Sequence, residues 1–359
     1  MIGFWRGTGL IVALDLRQRV RGVAWYVLLG IFVFLIFLVA VLLTMATDAW
    51  EAGGGGVFST IVFFVLLLGT LVSPAMSGNA INGDREQGTL ATTQVTLVTT
   101  GQIVVGKWIA AWLTALAFLA AAVPFLVYGL VLGGVSGWTI ALSIFVTAVE
   151  LGVVAAVGVG LSGVLVKPLF SVVVTYLVVA ALSIGTLIAF GLGGTAVQST
   201  ATVTQKMVDW SKLDANGEVP GGGPVPCLPT ETNTYQVPRY DLVWGFLAAN
   251  PYVVVADAAA TDFTDDGEPR DLFGWISVAV RQAQQPPELD QVIDACATFR
   301  SGEPESYESQ TPKEIFDAAV PSWFVGLGIH VLLGAGALWW AWARTRTPAK
   351  RLSAGSRIA

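Results

Sequence analysis

Asn79-Ala-Ile-Asn82-Gly83-Asp84-Arg85-Glu86-Gln87-Gly88-Thr89-Leu90, with its close at Ile103-Val104-Val105-Gly106-Lys107-Trp108, is a polar stretch between two long apolar ones. Two membrane spans are usually joined by a few residues. A segment 79–107 rich in charge, amides and threonine reads instead as a docking surface, and the rest of the chain is best read outward from it.

Hydrophobic residues make up 54% of the 359 positions and charged residues 12%, where a soluble domain carries about 25% charge. Crossing a hydrocarbon core of ~30 Å takes ~20 apolar residues as helix, and unpaired backbone in lipid is prohibitively costly. Six stretches qualify: 23–45, 57–78, 108–132, 139–165, 169–192 and 320–342. Several are rich in Val, Ile and Phe, but their length and continuity override that strand propensity. The expected fold is therefore an all-α polytopic membrane protein with six transmembrane helices.

Positive charge sets the expected orientation. Arg6, Arg17, Arg19 and Arg21 precede the first span, Arg85 and Lys107 lie in the segment after the second, and Lys167 follows the fourth. Arg344, Arg346, Lys350, Arg351 and Arg357 follow the sixth. The short connections 46–56 and 133–138 have no Lys or Arg and only Asp48 and Glu51. The positive-inside rule places both termini in the cytoplasm. Trp25, Tyr26, Trp339, Trp340 and Trp342 supply an aromatic belt at that face. The first span is too long for a signal peptide and is expected to stay as an anchor.

Residues 1–22 are expected to form an amphipathic helix in the headgroup layer. Leu10, Ile11 and Leu14 share one face and Arg17 and Arg21 another, with Gly22 as a bend. Residues 343–359 read as a basic cytoplasmic tail. Residues 193–319 form the one large polar block, expected outside, with 19 of the 25 carboxylates against 7 Lys and Arg. Pro220–Pro226 is an irregular loop. Short helices are expected at 280–285, 289–297 and 312–319, while Asn250–Val255 fits a strand or a buried helical turn. Cys227 and Cys296, the two cysteines, both fall in this block. Outside the cytoplasm they are expected to form a disulfide, worth ~4 kcal/mol for a loop of about 70 residues; the alternative is two free buried thiols. Two cysteines and one histidine make a zinc cluster a poor reading.

The chemistry-bearing residues are few. Gly101-Gln-Ile-Val-Val-Gly106-Lys107 imitates a phosphate-binding loop, but that loop needs a strand before it and Ser or Thr after the lysine. Trp108 and a membrane span follow instead, so the chain is not expected to bind ATP, and the lysine suits the headgroup level. The single histidine, His330, lies in the last span, where it is better suited to bonding a neighbouring helix than to catalysis. No catalytic residues are expected. Glu150, in the middle of the fourth span, costs ~3 kcal/mol at that depth and should face the bundle or a polar cavity. Three roles stay open for it: a protonated hydrogen bond to another helix, the lining of a substrate path, or a proton relay, the last lacking a second intramembrane charge.

Asp84-Arg85-Glu86-Gln87-Gly88-Thr89 followed by Thr99-Thr-Gly-Gln-Ile-Val-Val-Gly106-Lys107 resembles the ABC-2 type permease family of ABC transporters. Members show Glu-Arg-Glu-x-Gly-Thr and then a hydrophobic-Gly-Lys entering the third span. Asp84 replaces the first glutamate here, and Gln94-Val-Thr-Leu-Val stands where many members have a Leu-Leu-x-x-Pro-like run. The resemblance implies a permease subunit in a bacterial cytoplasmic membrane, paired with a second copy or a sister permease and surrounded by lipid. Beneath the pair would sit two cytoplasmic ATPase subunits holding Mg-ATP, with no cofactor on this chain and no nucleic acid. Ile81 to Leu90 would be a coupling helix, with Ile81, Asp84, Arg85, Glu86, Gln87, Gly88, Thr89 and Lys107 as its working residues. An exported substrate would be hydrophobic or amphiphilic. The competing function class is a non-transport membrane protein that displays its acidic external block as a binding or sensing module.

Overall fold

The computed structural model describes residues 3–46, 54–90, 98–214, 219–259, 261–301 and 310–346. Asp48, Glu51, Gln94 and the tail residues Lys350, Arg351 and Arg357 lie outside them. Helix α1 (Phe4–Val20) leads into α2 (Val23–Ala46). Then come α3 (Gly55–Ser77), the short α4 (Asn82–Glu86), α5 (Thr100–Val131) and α6 (Gly137–Val164). Helix α7 (Pro168–Ala180) runs through a π turn at Ala181–Gly185 into α8 (Thr186–Ala196), and α14 (Trp323–Thr345) is the last helix described. Among the described residues six helices are long and apolar enough to cross a membrane, which gives the chain the build of a multi-pass membrane protein.

The third of these helices begins at Thr100, well before the expected 108. Its start is fixed by a capping box: Thr99 Oγ1 accepts from the Gln102 amide and the Gln102 side chain accepts from the Thr99 amide. Helix α6 is the hub. Small residues let its neighbours approach at backbone distance: a Cβ on Gly160 would stand 2.5 Å from Ala337 of α14, and one on Gly163 2.5 Å from Ala341. On the side facing α3, a Cβ on Gly158 would collide with Ser77.

The block between the fifth and sixth long helices is not all helical. It carries a three-stranded sheet in the order β2-β1-β3, in which β1 (Gln198–Lys206) pairs antiparallel with β2 (Glu231–Pro238) and parallel with β3 (Asp290–Asp294). The helix expected over 289–297 is thus β3 followed by α12 (Ala295–Ser301). That expected over 280–285 is the end of α11 (Leu272–Gln282), and α13 (Pro312–Ala318) lies where a helix was expected. Cys227 and Cys296 are joined in a disulfide with Cα atoms 6.0 Å apart. It ties the chain between β1 and β2 to the first turn of α12.

Nor is 193–319 a separate unit. Helices α9 (Gly245–Ala248) and α10 (Pro251–Ala258) are built into the helical bundle. Val254, Val255 and Ala256 are fully buried in the same apolar core as Ile36, Phe58, Phe118 and Leu151. Asn250 starts α10 by accepting from the Tyr252 amide, and its Nδ2 donates to Ser183 O and Thr186 Oγ1 at the π turn. A Cβ on Gly326 of α14 would overlap Ala248 O, so that glycine is what admits the α9–α10 turn. Asp257 of α10 then accepts from Arg281 Nε at 3.0 Å and, through its other oxygen, from the Ser322 and Trp323 amides that open α14.

Candidate functional site: a gripped polar segment and a buried dyad

At the end of the bundle that carries α1, the polar segment is held by buried hydrogen bonds. Ser162 Oγ of α6 accepts from the amides of Ile81 (2.8 Å) and Asn82 (3.1 Å) and donates to Asn82 Oδ1 (3.0 Å). Asn82 Nδ2 donates to Leu165 O, and Arg85 reaches Gly163 O. The serine thus satisfies amides that a five-residue helix leaves orphaned at its N-terminus. Ile81 is fully buried beside Ile103, Val159 and Ala341. Helix α4 covers only Asn82–Glu86, shorter than the expected 81–90, and is followed at Gly88 by a φ of 71°, in a region glycine enters freely.

Lys107 is turned into the bundle. Seven residues into α5, it is 6% exposed, and its Nζ lies 2.7 Å from Asp84 Oδ2 and 3.3 Å from Asp15 Oδ1 of α1. Arg19 closes the chain of charges at 3.2 Å from Asp15. One buried ammonium thus joins α1, α4 and α5. Close glycine contacts support it: a Cβ on Gly106 would meet Ile11 at 2.8 Å, and one on Gly7 would meet the Gln102 amide at 2.5 Å. Gly7, Thr8 and Asp15 are the buried residues of α1, while Leu10 and Leu14 are exposed. The residues that imitate a phosphate loop, from Thr100 onward, are helical, and their lysine is held by two carboxylates.

Of the residues singled out in the sequence, Ile81, Asp84, Arg85 and Lys107 are therefore engaged within the chain. Glu86, Gln87, Gly88 and Thr89 are exposed at the tip, where Thr89 Oγ1 donates back to Asp84 O. The segment has two sides, one gripped by the bundle and one presented.

Glu150 and His330 meet in the middle of the bundle. His330 Nδ1 lies 2.9 Å from both Glu150 oxygens and its Nε2 lies 2.9 Å from Ala249 O. The two side chains are 2% and 0% exposed. Of the three roles left open for Glu150, the bond to another helix is the one this geometry contains. A bond to a neighbouring helix was expected of each residue, but not that the two are partners, since 180 residues separate them.

Between α5, α6 and α14 lies a groove of about 400 Å³ lined by Trp108, Trp112, Gly152, Ala156, Gly334 and Leu338, among others, but not by Glu150. The two indoles stack at 5.6 Å and turn their N–H groups to Gly152 O and Ala148 O, which leaves the groove almost wholly apolar. At the far end of the bundle, Asp271 caps α11 by accepting from the Gly274 amide. Burial pushes its carboxyl up to about 6 against the opposing pull of that bond. On the sheet side, Arg239 beside Asp241 holds that carboxyl below its usual range. Among the described residues no cluster of His, Cys, Asp or Glu is arranged to hold a metal.

Compared with protein-family models and with curated proteins, the chain matches none.

Proposed function

We propose that the chain is the membrane-spanning permease subunit of an ATP-driven transporter of the ABC-2 type, coupled to separate ATPase subunits through residues 82–89. The observation that carries the reading is the two-sided build of the segment. A lever must be fixed to what it moves and open to what moves it. Ser162, Lys107 and Gly163 fix α4 to α6 and α5, while Glu86, Gln87, Gly88 and Thr89 face outward. A push on that tip reaches α5 through the Asp84–Lys107 pair and α6 through Ser162, so two long helices shift together. Asp15 and Arg19 carry the same shift into α1.

In this reading both termini are cytoplasmic, the sheet-bearing block lies outside, and the Cys227–Cys296 bridge suits an oxidising compartment. The apolar groove beside Trp108 and Trp112 supports a hydrophobic or amphiphilic cargo, since it offers a polar substrate almost no partner. The display-module alternative calls for a separable external block, and α9–α10 packed in the bundle core count against it.

The test is a pull-down of the tagged chain in mild detergent, with Glu86→Arg in parallel. Glu86 is exposed, so the variant should insert and fold as wild type does. An ATPase that co-purifies with wild type and is lost with the variant is the expected result. An ATPase retained equally by both would refute the assignment of the tip, and partners confined to the sheet end would refute the transporter reading.

A further inference from the structure

We propose that Glu150 and His330 form a proton-binding site inside the bundle, and that the proton they share is the ligand tying the Ala249–Asn250 turn to α6 and α14. The site does not depend on the transport reading. Ala249 O can only accept, so His330 Nε2, at 2.9 Å, must carry hydrogen. The Nδ1 contact to the Glu150 carboxyl needs one further proton, on Nδ1 with the glutamate ionised or on the glutamate with Nδ1 accepting. Either arrangement is neutral overall, which is how the pair tolerates its depth.

Removing that proton leaves one imidazole N–H facing two acceptors. A lone pair must then confront either the carboxylate or the Ala249 carbonyl at 2.9 Å. At 2% and 0% exposure, no bulk water repairs the loss. The carboxylate is the stronger acceptor and keeps the N–H, so the bond to Ala249 is the one given up. The proton leaves to water. A cavity of about 10 Å³ lined by Thr70, Glu150, Ser183 and Pro251 has room for about one water as a first step. The remaining tethers of the turn, from Asn250 to Ser183 O and Thr186 Oγ1, do not titrate.

The other ionisable groups on the packed elements have their own partners. Asp257 of α10 is paired with Arg281, and Tyr252 of α10 packs against Phe63. Tyr176 of α7 donates to Leu71 O, and Tyr128 of α5 bonds Thr44. Lys107 of α5 sits between Asp15 and Asp84, and Arg344 and Arg346 lie at the far end of α14.

His330 is the chain's only histidine, so labelling histidine with nitrogen-15 gives a single-site reporter. Full-length protein with a histidine-free tag is placed in lipid nanodiscs and its imidazole resonances are followed against pH. Amide exchange of the 245–258 peptide, corrected for intrinsic rates, is measured alongside. The expected result is a protonated Nε2 at neutral pH and one spectral step as pH rises. Protection of 245–258 should fall at the same midpoint by at least about tenfold, the scale of one buried charged hydrogen bond. Glu150→Gln can donate to Nδ1 while Nε2–H keeps Ala249, so its protection should lose the pH step. An imidazole that titrates as in free solution, a spectral step without loss of protection, or a Glu150→Gln protein that keeps the step would each overturn the proposal. If that variant fails to fold, the wild-type titration alone decides.

Discussion

Replacing Lys107 with methionine tests whether one buried ammonium holds three elements together. Methionine keeps most of the volume and removes the charge, leaving Asp84 and Asp15 without their shared partner. Breaking a fully buried ion pair costs about 3–5 kcal/mol. Two features lower that figure here. Asp84 has a side chain 34% exposed, so solvent screens part of its loss, and Asp15 retains Arg19 at 3.2 Å. We therefore expect about 2 kcal/mol, felt as local opening of α1 and α4 rather than global unfolding. Hydrogen exchange read by mass spectrometry should show peptides from 4–20 and 79–90 exchanging ~30-fold faster, with α6 unchanged. Exchange unaltered in both peptides, or raised uniformly through the bundle, would refute a joint centred on Lys107. Asp84→Asn should release the 79–90 peptide alone, because the Lys107–Asp15 contact survives it.

Gly163→Leu places side-chain atoms where a Cβ is already 2.5 Å from Ala341, so overpacking of about 1–3 kcal/mol should lower the detergent melting temperature. Breaking the disulfide with Cys227→Ser and Cys296→Ser should cost up to ~4 kcal/mol of local stability for a separation of 69 residues. Limited proteolysis should then cut within 198–301. Asp271, raised to about 6 in the folded protein, binds its proton more tightly folded than unfolded. Its contribution is complete below about pH 4 and is lost as pH climbs through about 6. Asp271→Asn keeps a capping oxygen without the charge and should flatten the thermal stability curve over that window; a variant curve parallel to wild type would refute the assignment.

The long helices are legible in the sequence because each is a continuous apolar run, which no neighbour needs to explain. The early start of α5 was legible too, in Thr99-x-x-Gln102, but Gly101 and Lys107 read more loudly as a polar break. The sheet was not legible. Gln198–Lys206 and Glu231–Pro238 are threonine-rich and carry only two apolar residues each at alternate positions, Ala201 and Val203 in one and Tyr235 and Val237 in the other, and β2 is mostly exposed on both faces, so period two is too brief to stand out. Within the candidate site, the exposed tip was visible as charge beside glycine. The grip was not, because it rests on Ser162, Asp15 and Gly163, each unremarkable in its own stretch. Asn250–Val255 stood open between strand and buried turn, and only the small residues of α14 across from it decide for the turn.

The α9–α10 turn also settles where this molecule can be cut. An excision at 193 and 319 would remove the Ala249 carbonyl that His330 bonds and the carboxylate that caps α14, and would leave an unfilled notch at Gly326. A transplant of the sheet-bearing block would in turn carry a greasy, bundle-shaped peg into water. The natural seam runs inside the polar block, on either side of 245–258, so a chimera that respects it must take those residues from the same parent as the spans.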